Sequence, residues 1–228
     1  MNDLYAFFQQ GRNQRRIDKW HHYFEIYERH LARLRPANPT LLEIGVQGGG
    51  SLEMWRQYFG HAAPVYGIDI DPAVRRHEDI ATKIFIGDQA NAGFLRDVLA
   101  QTGPLDLVID DGGHTANQQI TSFETIYPTL SETGIYLVED THTSLWGGRY
   151  MDRADGQSFL QFATRRCAEL MDWTGEIANF QALGNRQTAQ ALDTSASLFC
   201  RTTKSISFYD SVIVFERGRR SVPSREER

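Results

Sequence analysis

Through the middle of the chain, short apolar runs alternate with amphipathic stretches. The runs LLEIGV (41–46), PVYGIDI (64–70), KIFIGD (83–88), LDLVID (105–110) and GIYLVED (134–140) are strand-sized and lie next to glycine or acidic residues. Such compact hydrophobicity is expected of strands covered on both faces. Between them, 51–59, 71–80, 92–101 and 115–130 read as helices, the second with Pro72 in its first turn, where the missing N–H costs nothing. Upstream, Trp20, Tyr23, Phe24, Tyr27, Leu31 and Leu34 recur at helical spacing and predict a helix over 18–34, ended by RPANPT at 35–40. This alternation predicts right-handed βαβ crossovers and a mostly parallel α/β sheet. After residue 140 the rhythm changes. Residues 145–156 read as a loop, about 157–171 as a helix, and 205–217 as two short strands around the corner Tyr209–Asp210–Ser211, an antiparallel edge pair.

Composition narrows the class. The 228 residues are 41% hydrophobic, which suits one globular domain. A domain of this size buries roughly 70% of its unfolded surface and needs no staples. Cys167 and Cys200 read as reduced thiols, and a cytoplasmic location is expected. No apolar run is long enough to span a bilayer, Met1–Arg16 lacks an apolar signal core, and membrane insertion is not expected. The net charge of −5 argues against a nucleic-acid partner. The basic end from Arg217 reads as solvated and frayed.

In open α/β sheets, ligands bind beyond the carboxyl ends of the strands. That rule points to 45–50, Asp69, Asp88, 110–114 and 139–142. The stretch EIGVQGGGS (43–51) is not a dinucleotide fingerprint, because Gln47 stands where the second glycine belongs, and it lacks the P-loop lysine. What it offers is E-x-G before a glycine cluster, then Asp69 ending the next strand and Asp88 after the third. An acid after strand two can accept ribose hydroxyls, and one after strand three an adenine amino proton. The series resembles class I S-adenosylmethionine-dependent methyltransferases. Glu43, Gly45, Gly48, Ser51, Asp69, Asp88, Gln89 and Asp110 are then the candidate cofactor contacts, Asp110 acting on the loop or cofactor from behind. The plainer alternative is a tight strand-to-helix turn with solvent-facing acids.

Asp111, Glu139 and Asp140 end neighbouring strands. Their oxygens are hard ligands, favouring Mg²⁺, with Mn²⁺ or Ca²⁺ possible, over zinc. Two vicinal substrate oxygens can chelate such an ion, and His114 stands where an imidazole can take a hydroxyl proton. Two alternatives stay open: the acids only cap helix starts, or His114 and His142 join Asp111 in a two-histidine, one-carboxylate site. Beyond the acidic strand end, His142, Ser144, Trp146 and Tyr150 are candidate acceptor contacts, the aromatic rings offering faces to a sugar.

EIGVQGGGS, YGIDIDP, VIDDGGH, YLVEDTHTS, SFYDSVIVFERG and the upstream KWHHYFEIYERHL together resemble the metal-dependent sugar O-methyltransferases of the macrocin and mycinamicin type, over roughly residues 18–218. The resemblance implies a Rossmann-like seven-stranded class I fold, mostly parallel with an antiparallel C-terminal strand. It implies Mg²⁺ on Asp111, Glu139 and Asp140, and His114 as general base, with Asp111 the second catalytic residue. S-adenosylmethionine would be held by Glu43, Gly45, Asp69 and the Asp88–Gln89 turn. The expected division is a helical extension (1–35), the catalytic domain (36–218) and a flexible tail (219–228). The macrolide enzymes carry a large additional N-terminal domain, where a helix precedes the sheet here. The expected acceptor is a saccharide or glycoside: a natural product, a glycolipid, or a methylmannose-type oligo- or polysaccharide. A homodimer or homotetramer is expected. A catechol-like small-molecule methyltransferase and a cofactor-binding component that acts with a partner protein are the rival readings.

Overall fold

The computed structural model describes residues 3–10, 15–80, 82–175 and 196–223. Seven strands form one sheet in the order β3-β2-β1-β4-β5-β7-β6. They are β1 (Leu41–Ile44), β2 (Val65–Asp69), β3 (Thr82–Ile86), β4 (Leu107–Asp110), β5 (Ile135–Val138), β6 (Thr203–Tyr209) and β7 (Val212–Arg217). The first five are parallel; β7 runs antiparallel between β5 and β6. The expected parallel sheet and C-terminal hairpin are therefore both present, and Ser211 turns the hairpin corner at φ 65°.

The helices that matter here are α1 (Asp3–Gln9), α2 (Tyr23–Leu31), α3 (Gly50–Phe59), α4 (Ala92–Thr102), α5 (Ala116–Ile126) and α6 (Phe159–Glu169). Strand alternation sends Leu41, Leu107, Ile109 and Leu137 to a core shared with α1, α2 and α3. Leu42, Val108, Tyr136 and Val138 go to a second core shared with α4, α5 and α6. Two covered faces explain why the central strands read as unbroken apolar runs. Thr115 and Ser158 cap α5 and α6, each in a reciprocal box with a glutamine three residues on.

Two expected helices are shorter than their periodicity suggests. Only a 3₁₀ turn, Pro72–His77, forms within 71–80. The helix expected from residue 18 begins at Tyr23, and Trp20, counted on its apolar face, is 47% exposed. Residues 16–20 are irregular instead, because Lys19 is pulled into two carboxylates across the sheet edge, and tertiary pairing overrides local propensity. The tail begins with a fixed residue: Arg220 donates to the carbonyls of Leu170 and Cys200 and lies over the Trp173 ring, while 224–228 fall outside the described residues. Cys167 and Cys200 are free thiols. Among the described residues, no helix is long and apolar enough to cross a membrane.

Candidate active site

The chain steps from β1 outward to β2 and β3, then returns to place β4 on the other side of β1. That reversal opens a crevice beyond the carboxyl ends of β1 and β4, where ligands of such sheets bind. A cavity of about 950 Å³ occupies it. Its walls include Gly45, Gly48 and Ser51 of the glycine loop, Asp69, Asp88, Gln89, Asp111, His114, Glu139 and Asp140. A cavity this large is at the upper end of the small-ligand range.

Gly45 joins the two loops. Its φ is +94°, and an added Cβ would lie 2.1 Å from the carbonyl oxygen of Asp111. A Gly45→Ala variant is therefore expected to lose about 2–3 kcal/mol in urea unfolding, since both the dihedral and the contact become strained. Gly48 has a different use from the ligand approach expected of it. A Cβ there would meet the Arg16 carbonyl oxygen at 2.7 Å, so this glycine admits the segment before α2. Asp69 lines the cavity, and its carboxylate accepts from the amides of Val46 (3.0 Å), Gln47 (2.9 Å) and Asp71 (2.9 Å). It thus braces the glycine loop. Asp88 likewise lines the cavity while accepting from the Ala90 amide.

Two expected cofactor contacts stand behind the cavity wall. Glu43 is fully buried and accepts from Ser51 Oγ (2.8 Å) and Trp55 Nε1 (3.2 Å). Burial pushes its carboxyl up to about 7, against the pull of Lys19. It fixes the start of α3 and is not among the cavity-lining residues. Asp110 is also buried and outside the lining, accepting from Ser122 Oγ (2.7 Å), Gln89 Nε2 (2.9 Å) and Tyr136 (3.0 Å). Burial raises its carboxyl despite those donors. The oriented Gln89 then accepts from the Gly113 amide with its other end (2.9 Å), so Asp110 holds the loop that carries His114.

The parallel register sets Asp110 beside Val138, which brings Asp111 level with Glu139. Because side chains alternate along a strand, Asp111 and Glu139 face away from Asp110. Lys19 Nζ, its side chain 2% exposed, donates to Asp111 Oδ2 (2.5 Å) and Glu139 Oε2 (2.8 Å). Tyr27 donates to Glu139 Oε1 (2.6 Å) and Tyr23 to Asp140 Oδ1 (2.6 Å). Burial alone would lower the Lys19 ammonium, but Asp111, Glu139 and Glu43 override it and hold the group well above its usual range. Glu139 is raised as well: burial first, then repulsion from Asp111, pushes its carboxyl up to about 8 despite Lys19. Both follow from one ammonium shared among several buried carboxylates.

On the cavity side, ligand atoms of Asp111, His114 and Asp140 all lie within 4.8 Å of one another. His114 Nε2 is 3.5 Å from Asp140 Oδ2 and 3.9 Å from Asp111 Oδ1, while its Nδ1 is buried and without a hydrogen-bond partner. The expected trio of Asp111, Glu139 and Asp140 is thus only partly assembled, because Lys19 and Tyr27 hold Glu139 aside. His114 (φ 58°) and Asp140 (φ 53°) both adopt left-handed backbone, as does Gln47 (φ 43°), which also lines the cavity. Such strain in non-glycine residues concentrates at functional sites.

The expected acceptor contacts lie elsewhere than in the cavity. His142 pairs through Nδ1 with Ser211 Oγ and is not in the group of ligand atoms that Asp111, His114 and Asp140 bring together. Ser144 Oγ accepts from the Leu160 amide and anchors α6. Trp146 and Tyr150 continue a ladder of rings that starts at Trp20 and passes through His142, at centroid spacings of 5.0, 4.7 and 5.4 Å. Of these, only Trp20 reaches the cavity wall. The segment read as an open loop is tied down by Asp152, which accepts from Thr115 Oγ1 (2.7 Å) and the Asn117 amide (2.8 Å). Lys19, Tyr23 and Tyr27 all lie within KWHHYFEIYERHL, but their pairing with the strand-end acids went unpredicted, as did the anchoring by Asp152, which lies in no motif.

Residues 42–141, which contain the glycine loop, both aspartates and Asp140, match the family described as methyltransferase domain. The fold is that of a class I methyltransferase. The MycE methyltransferase of the mycinamycin pathway, solved with Mg, SAH and mycinamycin VI, superposes with a TM-score of 0.76 at 26% identity, over 95% of this chain and 54% of that one. A tetracenomycin rhamnosyl 3'-O-methyltransferase of Streptomyces olivaceus is 40% identical over 62% of this chain and 38% of its own length. Mycinamicin VI 2''-O-methyltransferase of Micromonospora griseorubida is 30% identical over 87% of this chain and 49% of its own. This class I chain therefore spans less than half the length of the curated relatives it matches.

Proposed function

We propose that the chain transfers the methyl group of S-adenosylmethionine to a sugar hydroxyl of a glycoside, with a divalent cation, Mg²⁺ foremost, at the acidic cluster. The observation that carries this reading is the convergence of Asp111, His114 and Asp140 in the cavity that the glycine loop also lines. The donor set fits a hard cation. Lys19 supplies one positive charge against Asp111, Glu139 and Asp140, and oxygen ligands favour Mg²⁺ or Mn²⁺. Asp111 and Asp140 would hold the ion, with Glu139 joining once released by Lys19. When bound, the ion supplies Lewis acidity toward the acceptor oxygens, and S-adenosylmethionine supplies the electrophilic methyl.

The protein's own part is placement and proton removal. The glycine loop, braced by Asp69, and the Asp88–Gln89 turn form the cofactor wall. His114 accepts the hydroxyl proton at Nε2, where the resulting imidazolium faces Asp140 and Asp111. Asp110, through Gln89 and Gly113, keeps His114 in position. The acceptor class rests on the curated relatives, whose names specify rhamnosyl tetracenomycin, olivosyl-oleandolide and mycinamicin VI.

The test is incubation with S-adenosylmethionine and Mg²⁺ against rhamnosylated and mannosylated glycosides, with a catechol as contrast, read by mass spectrometry. A methyl gain on a glycoside is expected. Methylation of the catechol alone overturns the acceptor class. Binding of S-adenosylhomocysteine without transfer to any sugar turns the reading into that of a cofactor-binding component.

A further inference from the structure

Lys19 comes from outside the sheet, yet its ammonium is the most deeply buried positive charge in the site. It bridges Asp111 Oδ2 and Glu139 Oε2. The remaining oxygen of Asp111 faces His114, and the remaining oxygen of Glu139 is taken by Tyr27. Asp111 is therefore shared between two cation positions. The inner one, with Glu139, is filled by the protein's own ammonium. The outer one, with Asp140, opens to the cavity.

We propose that Lys19 is a built-in counter-ion that competes with the divalent cation for Asp111 and Glu139. The proposal rests on the metal-dependent reading of the site. Two cations drawing on one carboxylate repel each other at short range, and in a buried setting water screens that repulsion little. The ammonium therefore weakens metal binding while keeping the metal-free site neutral enough to stay folded. Burying those carboxylates with no partner would be strongly unfavourable. With a metal bound, Glu139 would give up the ammonium and be free to join Asp111 and Asp140 in holding the ion. Two neighbouring features agree with a post that can move. Lys19 lies on irregular chain rather than on α2, and that segment is attached to the glycine loop through the Gly50 amide and Arg16 carbonyl (3.2 Å). Displacement of Lys19 is thereby linked mechanically to the cofactor wall.

The experiment compares the whole chain with Lys19→Met and Lys19→Gln, the second retaining a hydrogen-bond donor should the first fold poorly. Mg²⁺ and Mn²⁺ binding is measured by calorimetry, and thermal unfolding with and without Mg²⁺, neither of which needs an acceptor. Expected is metal binding at least tenfold tighter in either variant, with a lower Tm in chelator and a larger Mg²⁺-induced rise than in the wild type. A lysine that only supports the fold would lower Tm without tightening metal binding. Unchanged or weaker metal binding in a folded variant overturns the proposal and leaves the metal-dependent reading standing. Metal bound by the variants but not by the wild type supports the competition and overturns a metal-loaded native enzyme. No binding by any of the three overturns both.

Discussion

Replacing His114 by asparagine is expected to lower turnover about 10²–10⁴-fold, the usual yield of a positioned general base. Binding of S-adenosylhomocysteine and of Mg²⁺ should stay within about threefold of the wild type, because the loss is confined to the transition state. Asparagine is the informative choice. His114 sits at φ 58°, a conformation that asparagine tolerates better than most residues, so the backbone strain is not increased. Single-turnover kinetics with a methylatable glycoside, beside calorimetry, reads the two effects separately. The geometry makes this distinction necessary. Nε2 lies 3.5 Å from Asp140 Oδ2, longer than a normal hydrogen bond but near enough for the two to be fellow ligands of one ion. A base leaves metal affinity almost intact when removed; a ligand takes metal affinity and turnover down together. The second outcome would reassign His114 from proton acceptor to metal ligand.

The architecture was legible because its strands advertise themselves. Each central strand is apolar on both faces, and several stop at glycine or an acid, so the βαβ rhythm survives without any knowledge of the sheet order. Beyond the strand ends, legibility falls with distance along the chain. As a string of letters, Asp110–Asp111 is a pair of adjacent like charges with no visible partners. In the structure, strand alternation turns Asp110 toward Gln89, Ser122 and Tyr136, and Asp111 toward Lys19. That division follows from period two alone. The partners do not: Lys19 lies 92 residues from Asp111 and 120 from Glu139. A helix expected from residue 18 also gives Lys19 no reason to turn toward the strand ends. Glu43 shows the complementary case. Its position before the glycine loop resembles a cofactor contact, but inward alternation gives its oxygens to Ser51 and Trp55. The acceptor side was least legible, since ring stacking and the Asp152 anchor depend on how 141–155 folds back, which no local pattern encodes.

Removing divalent metal should abolish transfer, and the same chelation should soften the fold in a pH-dependent way. Asp140→Asn is the matching substitution, since it keeps the Tyr23 contact geometry while deleting one anionic ligand. Chelated wild type and Asp140→Asn are both expected to lose at least about 10³-fold in turnover, from lost charge stabilisation and lost orientation combined. Only the chelated wild type should recover when Mg²⁺ is restored. Saturating Mg²⁺, at about a hundred times its Kd, contributes about 2.7 kcal/mol to the folded state. For a chain of this length, that corresponds to about 5–10 °C in Tm. The pH trend follows from Glu139, whose folded-state carboxyl is pushed up to about 8 by burial and then by Asp111. A raised carboxyl contributes stability that is complete below its unfolded value and is lost as pH climbs through the folded one. The chelated protein should therefore lose Tm as pH rises from 6 through 8, and Glu43, at about 7, adds to that loss. A bound cation favours the ionised carboxylates, so the Mg²⁺-induced rise in Tm should grow over the same interval. Thermal unfolding at a series of pH values, with Mg²⁺ or chelator, decides it. A Mg²⁺ effect that is flat or shrinks as pH rises would show that ionisation of Glu139 is not linked to the bound metal.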